Sequence, residues 1–148
     1  MRHVMVMNSK GGCGKSTIAT NVASHFARED YKVTLADYDP QRTSLDWLAM
    51  RTEDLPPIAG VAAYDEGLRS VPRDTEILVI DAPARTHGSE MNELVRRAET
   101  ILVPVLPSPI DMISTGARWS VDASSARASN SSRRCPAPCK SAARAATR

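Results

Sequence analysis

HVMVMNSKGGCGKSTIATNVASHFAR, residues 3–28, changes period twice. HVMVM (3–7) is a continuous apolar run, the pattern of a short strand buried on both faces. NSKGGCG (8–14) has no period and holds three glycines. From Ser16 onward Ile18, Val22 and Phe26 recur every four residues, with Ala19, Ala23 and Ala27 beside them, which marks one face of a helix running to about Arg28. A buried strand, a glycine-rich loop and an amphipathic helix make the opening half of a β/α unit.

The same alternation continues downstream. KVTLA (32–36) reads as a second strand ending at Asp37. Thr43-x-x-Asp46 has the spacing of a capping box and opens a short helix with Leu45, Leu48 and Ala49 turned inward. Residues 51–57 form a loop stiffened by Pro56 and Pro57, and residues 60–63 read as a third strand. EILVI (76–80) is a buried strand ending at Asp81. Over residues 89–98, Met91, Leu94, Val95 and Ala98 share one side of a helix. Glu90 and Glu93 lie in its first turn and Arg96 and Arg97 in its last, the order the helix dipole favours. Residues 100–105 form another buried strand, followed by Pro107, Pro109 and Asp111. Apolar strands alternating with helices predict an α/β fold, a parallel sheet with helices on both faces.

Composition narrows the class. The chain has 148 residues, 24% charged and 42% hydrophobic, enough for one packed core and against wholesale disorder. No apolar run approaches the ~20 residues that cross a bilayer, and the amino-terminal run is too short for a secretory signal. Three cysteines (Cys13, Cys135, Cys139) make no disulfide framework, so the reducing cytoplasm is the expected compartment. The net charge of +2 hides a split. Residues 1–115 carry 12 basic and 16 acidic groups, whereas residues 116–148 carry seven basic groups and one acid. That second stretch contains nine Ala, seven Ser and six Arg, with no Leu, Ile, Met or Phe. It buries too little apolar surface to offset its ordering entropy, which predicts a basic, disordered tail. The Cys135/Cys139 pair within it lacks further ligands for zinc.

The chemistry concentrates at the loop. Lys10-Gly11-Gly12-Cys13-Gly14-Lys15-Ser16 sits between a strand and a helix, where glycines let backbone N–H groups face an anion and the helix start adds its positive end. Lys15 is placed to reach phosphates, the Ser16 hydroxyl to ligate Mg²⁺, and Thr17 to lie near the nucleotide. The standard pattern would have glycine where Ser9 stands, and Lys10 is an additional lysine: the loop has the deviant form K-G-G-x-G-K-[ST]. Two strands end in carboxylates, Asp37 with Asp39 two residues on, and Asp81. Strand carboxyl ends border the ligand crevice of an open α/β sheet. Alternation along a strand predicts that Asp37 and Asp39 point the same way.

Residues 10–16, DYDPQ (37–41), ILVIDAP (77–83) and VPVLPSPID (103–111) together resemble the ParA/MinD-type ATPases, ParA-like partitioning proteins in particular. The resemblance implies a P-loop NTPase core of the SIMIBI type over residues 1–115. It implies that Lys10 is the signature lysine that reaches the phosphates of a second copy, that Lys15 is the lysine acting in its own chain, and that Asp39 orients the attacking water. Ser16, Asp37 and Asp81 would hold Mg²⁺, and residues 11–17 (Gly11, Gly12, Cys13, Gly14, Lys15, Ser16, Thr17) would hold ATP. The implied activity is ATP hydrolysis coupled to homodimerisation and non-specific DNA binding. A ParB-like or cargo-adaptor partner would stimulate it, on the nucleoid within the cytoplasm and without a membrane.

The resemblance stops near residue 115, where the family continues through further β/α units. The composition change there predicts a truncated or frameshifted end over 116–148, with a phosphate-binding arm as the competing reading of its arginines. For the chain as a whole, the alternative to an ATPase is a truncated nucleotide-binding module that no longer hydrolyses, or a remnant without a stable fold.

Overall fold

The computed structural model describes residues 1–84, 89–113 and 115. Its elements are β1 (Arg2–Val6), α1 (Lys15–Arg28), β2 (Val33–Asp37), α2 (Thr43–Ala49), β3 (Ile58–Ala62), α3 (Ala63–Glu66), β4 (Ile77–Asp81), α4 (Ser89–Arg97) and β5 (Thr100–Leu102). The strands form one five-stranded sheet in the order β3-β2-β4-β1-β5, with every pairing parallel.

That order decides which face each helix covers. The connections β1→β2 and β2→β3 run toward one edge of the sheet, and β3→β4 and β4→β5 run toward the other. Parallel crossovers share one hand, so opposite directions of travel put the connecting helices on opposite faces. The two cores follow this rule. Val4, Val6, Val33, Leu35, Ile77 and Val79 pack against Ala19, Ala23 and Ala27 of α1, with Leu48 of α2 at the margin. Met5, Ala36, Leu78 and Ile80, the alternate positions of the same strands, pack against Ala63 of α3 and Leu94 of α4. Alanines on α1 let that helix approach the sheet closely. At the β3 edge Gly60 does the same for α2: a Cβ there would lie 2.9 Å from Leu45 and 3.0 Å from Leu48.

Several local expectations need correction. Thr43 and Asp46 form no capping box. The N-cap of α2 is Arg42, with left-handed backbone and no side-chain bond of its own. Ala49 is exposed rather than inward. The third strand begins at Ile58, and the four-residue α3 follows it directly. The fifth strand stops at Leu102, short of the expected residue 105, and two residues on the carbonyl of Pro104 accepts from Asn8 after β1. Residues 116–148 lie outside the described residues, as does the reading of them as a tail. Among the described residues, no helix is long and apolar enough to cross a membrane.

Candidate functional site

The register of the sheet builds the site. Val6 of β1 pairs with Asp81 of β4, and Asp81 pairs with Asp37 of β2. The three residues form one row across the sheet at the carboxyl ends of its central strands. Each continues the series that faces α1, so both carboxylates lie on the side of the sheet where the loop after β1 turns into α1.

The loop has the backbone its glycines allow. Gly12 and Gly14 have φ of +72° and +86°, the left-handed region that an L side chain rarely adopts. Gly14 is the N-cap of α1 and supplies no side-chain hydrogen bond, and the first turn holds no acid. The first N–H groups of a helix lack intrahelical acceptors, so this end is electropositive and open to an anion. Lys15 is buried, and its Nζ donates to the carbonyl of Lys10 at 3.2 Å. Cys13, also buried, donates its thiol to the same carbonyl at 3.2 Å. This thiol is a packing group of the loop.

The two acids of the row are in opposite states. Asp37 is 1% exposed and fully engaged. Its Oδ2 accepts from Ser44 Oγ at 2.6 Å, Ser44 N at 3.0 Å and Leu45 N at 3.3 Å, and its Oδ1 accepts from Asp39 N at 2.8 Å. Asp37 is therefore the cap of α2, supplied from the preceding strand. Asp81 is equally buried, yet among the described residues neither of its oxygens has a partner at hydrogen-bond geometry. Burial pushes its carboxyl up to about 6, with Asp37's charge adding to the rise; the Ser16 and Ser44 hydroxyls and the Lys15 ammonium lie near enough to oppose it. Asp39 lies past the end of β2, half-buried, where its Oδ1 accepts from Gln41 N at 3.0 Å.

An orphaned buried carboxylate between a lysine and a serine hydroxyl suits a hydrated divalent cation. Mg²⁺ takes one or two protein ligands and completes its shell with phosphate and water. The residues present fit that ion: no group of three or more His, Cys, Asp or Glu side chains among the described residues could cage a metal, but Ser16 and Asp81 converge beside an anion site.

Sequence reasoning missed two participants. Asn8, buried just before the loop, donates to the carbonyl of Pro104 at 2.7 Å and accepts from Lys10 N at 3.0 Å. Asp111, at the end of the PSPID segment, pairs with the ammonium of Lys10. A buried-strand terminus ending in Asn was the available signal for the first. The second depends on a contact between residues a hundred positions apart, which no local pattern carries.

Comparison with known proteins agrees with this geometry. Residues 4–130 match the CobQ/CobB/MinD/ParA nucleotide-binding domain. The chain is 31% identical over 112 residues to the maintenance of carboxysome distribution protein A of Halothiobacillus neapolitanus, covering 72% of this chain and 51% of that one. It thus spans about half the length of the curated relatives it matches. The fold resembles apo McdA from Cyanothece (TM-score 0.67, 15% identity, 86% of this chain and 66% of that one). It also resembles the cobyrinic acid a,c-diamide synthase of Mycobacterium smegmatis solved with an ATP analogue and magnesium (TM-score 0.64, 17% identity, 88% and 70%). With its deviant phosphate loop, its parallel sheet and the row of strand-end carboxylates, the chain belongs to the CobQ/CobB/MinD/ParA family of nucleotide-binding domains.

Proposed function

We propose that residues 1–115 form the core of a ParA-type ATPase that binds and hydrolyses Mg·ATP, pairs with a second copy when ATP is bound, and positions DNA or a protein cargo. The observation that carries this reading is the contrast at the loop: an uncapped, acid-free helix start with a buried lysine, beside a buried carboxylate whose oxygens, among the described residues, have no partner at hydrogen-bond geometry. The relative named for carboxysome distribution supports a positioning role.

In this reading Gly11, Gly12, Cys13 and Gly14 present backbone N–H groups to the β and γ phosphates. Lys15 leaves the Lys10 carbonyl for them, and Thr17 lies against the nucleotide. Ser16 and Asp81 would hold Mg²⁺, which would neutralise phosphate charge, and Asp37 would reach it through water while its oxygens cap α2. Asp39 accepts a hydrogen bond from the attacking water and orients it. Lys10 reaches the phosphates of a second copy, so that hydrolysis depends on pairing. Phosphoryl transfer asks a protein mainly for such positioning and charge neutralisation. Non-specific DNA binding, a ParB-like or adaptor partner and a nucleoid location belong to the same reading, with residues 116–148 as a basic tail.

The test is nucleotide binding and phosphate release by the full chain, with and without DNA and partner. Lys15→Ala should weaken binding of Mg·ATP by about 100-fold or more, as expected for loss of a buried charge-assisted contact. Asp39→Ala should retain binding and lose phosphate release. Retained affinity in Lys15→Ala overturns the loop assignment. Binding without release in the wild type identifies a binding-only module instead.

A further inference from the structure

Lys10 ties the phosphate loop to a distant segment of the chain. Its N–H donates to Asn8 Oδ1, its carbonyl accepts from both Lys15 and Cys13, and its ammonium pairs with Asp111. Asn8 in turn holds the carbonyl of Pro104. The loop and residues 104–111 are therefore fastened at two points, one neutral and one charged.

The charged fastening is asymmetric. The Asp111 side chain is 8% exposed and that of Lys10 44%. A lysine left in water loses little, whereas a buried carboxylate left ionised without its cation is costly. Any state that takes the Lys10 ammonium elsewhere must give up this pair with Asp111.

We infer that Asp111 is a positioning residue that holds Lys10 against its own chain and so sets the threshold at which two nucleotide-loaded copies pair. The inference rests on the reading above, in which Lys10 serves the phosphates of a second copy. Asp111 and those phosphates are then alternative anions for one ammonium. The intramolecular anion has the advantage of proximity and the triphosphate has the advantage of charge. A single copy keeps Lys10 seated, and a facing pair exchanges it.

The experiment compares the full wild-type chain with Asp111→Asn and Asp111→Glu, using Mg²⁺ and a non-hydrolysable ATP analogue. Sedimentation equilibrium reads pairing, and titration at low protein concentration reads analogue affinity. Asp111→Asn should pair at about five- to tenfold lower protein concentration, with analogue affinity within about twofold of wild type. Asp111→Glu, which keeps the charge, should stay near wild type. An unchanged or higher threshold in Asp111→Asn overturns the inference. So does Asp111→Glu matching Asp111→Asn, or both wild type and Asp111→Asn remaining single with analogue bound. Failure of the wild type to bind analogue at all overturns the nucleotide reading first.

Zero-length carbodiimide coupling of the wild type covers the case in which Asp111→Asn does not fold. An amide between Lys10 and Asp111 should form in the nucleotide-free chain and disappear on pairing. Its absence without nucleotide, or its persistence in the paired state, overturns the inference.

Discussion

The N-termini of α1 and α2 lie on the same face of the sheet and begin in the same way, each from a residue with left-handed backbone and no cap of its own. They differ in what meets their free N–H groups. At α2 the Asp37 carboxylate accepts two backbone N–H groups and the Ser44 hydroxyl. At α1 no side chain caps the helix and no acid occupies the first turn. The same electrostatic demand is met inside the protein at one helix and, among the described residues, left open at the other. Asp81, between them in the sheet, shares the open character of α1.

Removing the internal anion should have the largest effect. Asp37→Ala leaves buried donors unanswered at α2 and should cost about 3 kcal/mol of stability, read by denaturant unfolding of the nucleotide-free chain. A loss under about 1 kcal/mol would mean that the carboxylate does not cap the helix.

Asp81 should behave in the opposite sense. Its carboxyl is raised from 3.8 to about 6 in the folded chain. The folded state therefore binds the proton more tightly than the unfolded state does. The stability this group contributes is complete below its unfolded value and is lost as pH rises through about 6. Asp81→Asn should thus stabilise the nucleotide-free chain by about 2 kcal/mol at neutral pH. That gap should close as pH falls toward 4, in paired unfolding curves across the range. Saturating Mg·ATP should erase the gap at neutral pH, since bound ligand stabilises the wild type selectively.

The smallest effects test the two caps directly. Nothing lies within 4 Å of a Cβ built on Gly14, so Gly14→Ala meets only backbone strain at φ +86°. It should lower the melting point by the equivalent of about 1 kcal/mol. Arg42 has a φ of +54°, and Arg42→Gly should raise stability by about 0.5 kcal/mol. Equal signs for the two would show that the backbones are not alike.

Much of this arrangement is legible in the residues. Strand runs such as ILVID and the four-residue period of Ile18, Val22 and Phe26 place β1, α1, β2, β4 and α4 to within a residue or two, because each buries a face whose period is local. The phosphate loop is legible for the same reason: a strand, three glycines and a helix are contiguous. The cap of α2 is not. Thr43 and Asp46 have the right spacing, but a carboxylate seven positions before Ser44 reaches the helix first. The short α3 has no period to read. Asp37 and Asp81 look alike as strand termini, and only the sheet register and the turn after β2 make one a cap and leave the other open. Asp39 lies beyond the end of β2, and its Oδ1 accepts from Gln41 N in the turn that follows.

The order of strands bears on how a ribosome could deliver this domain. Val33 pairs with Ile58 only 25 positions later, so β2, α2 and β3 can close as a unit while translation continues. Arg2 pairs with Ile77, and Val4 with Thr100. β1 thus waits for β4 and β5, as an apolar ribbon whose docking is slow and exposed to misassociation. The phosphate loop takes shape only after that late insertion. Nucleotide present at that moment would act as a template for completing the fold as well as a ligand of the finished one.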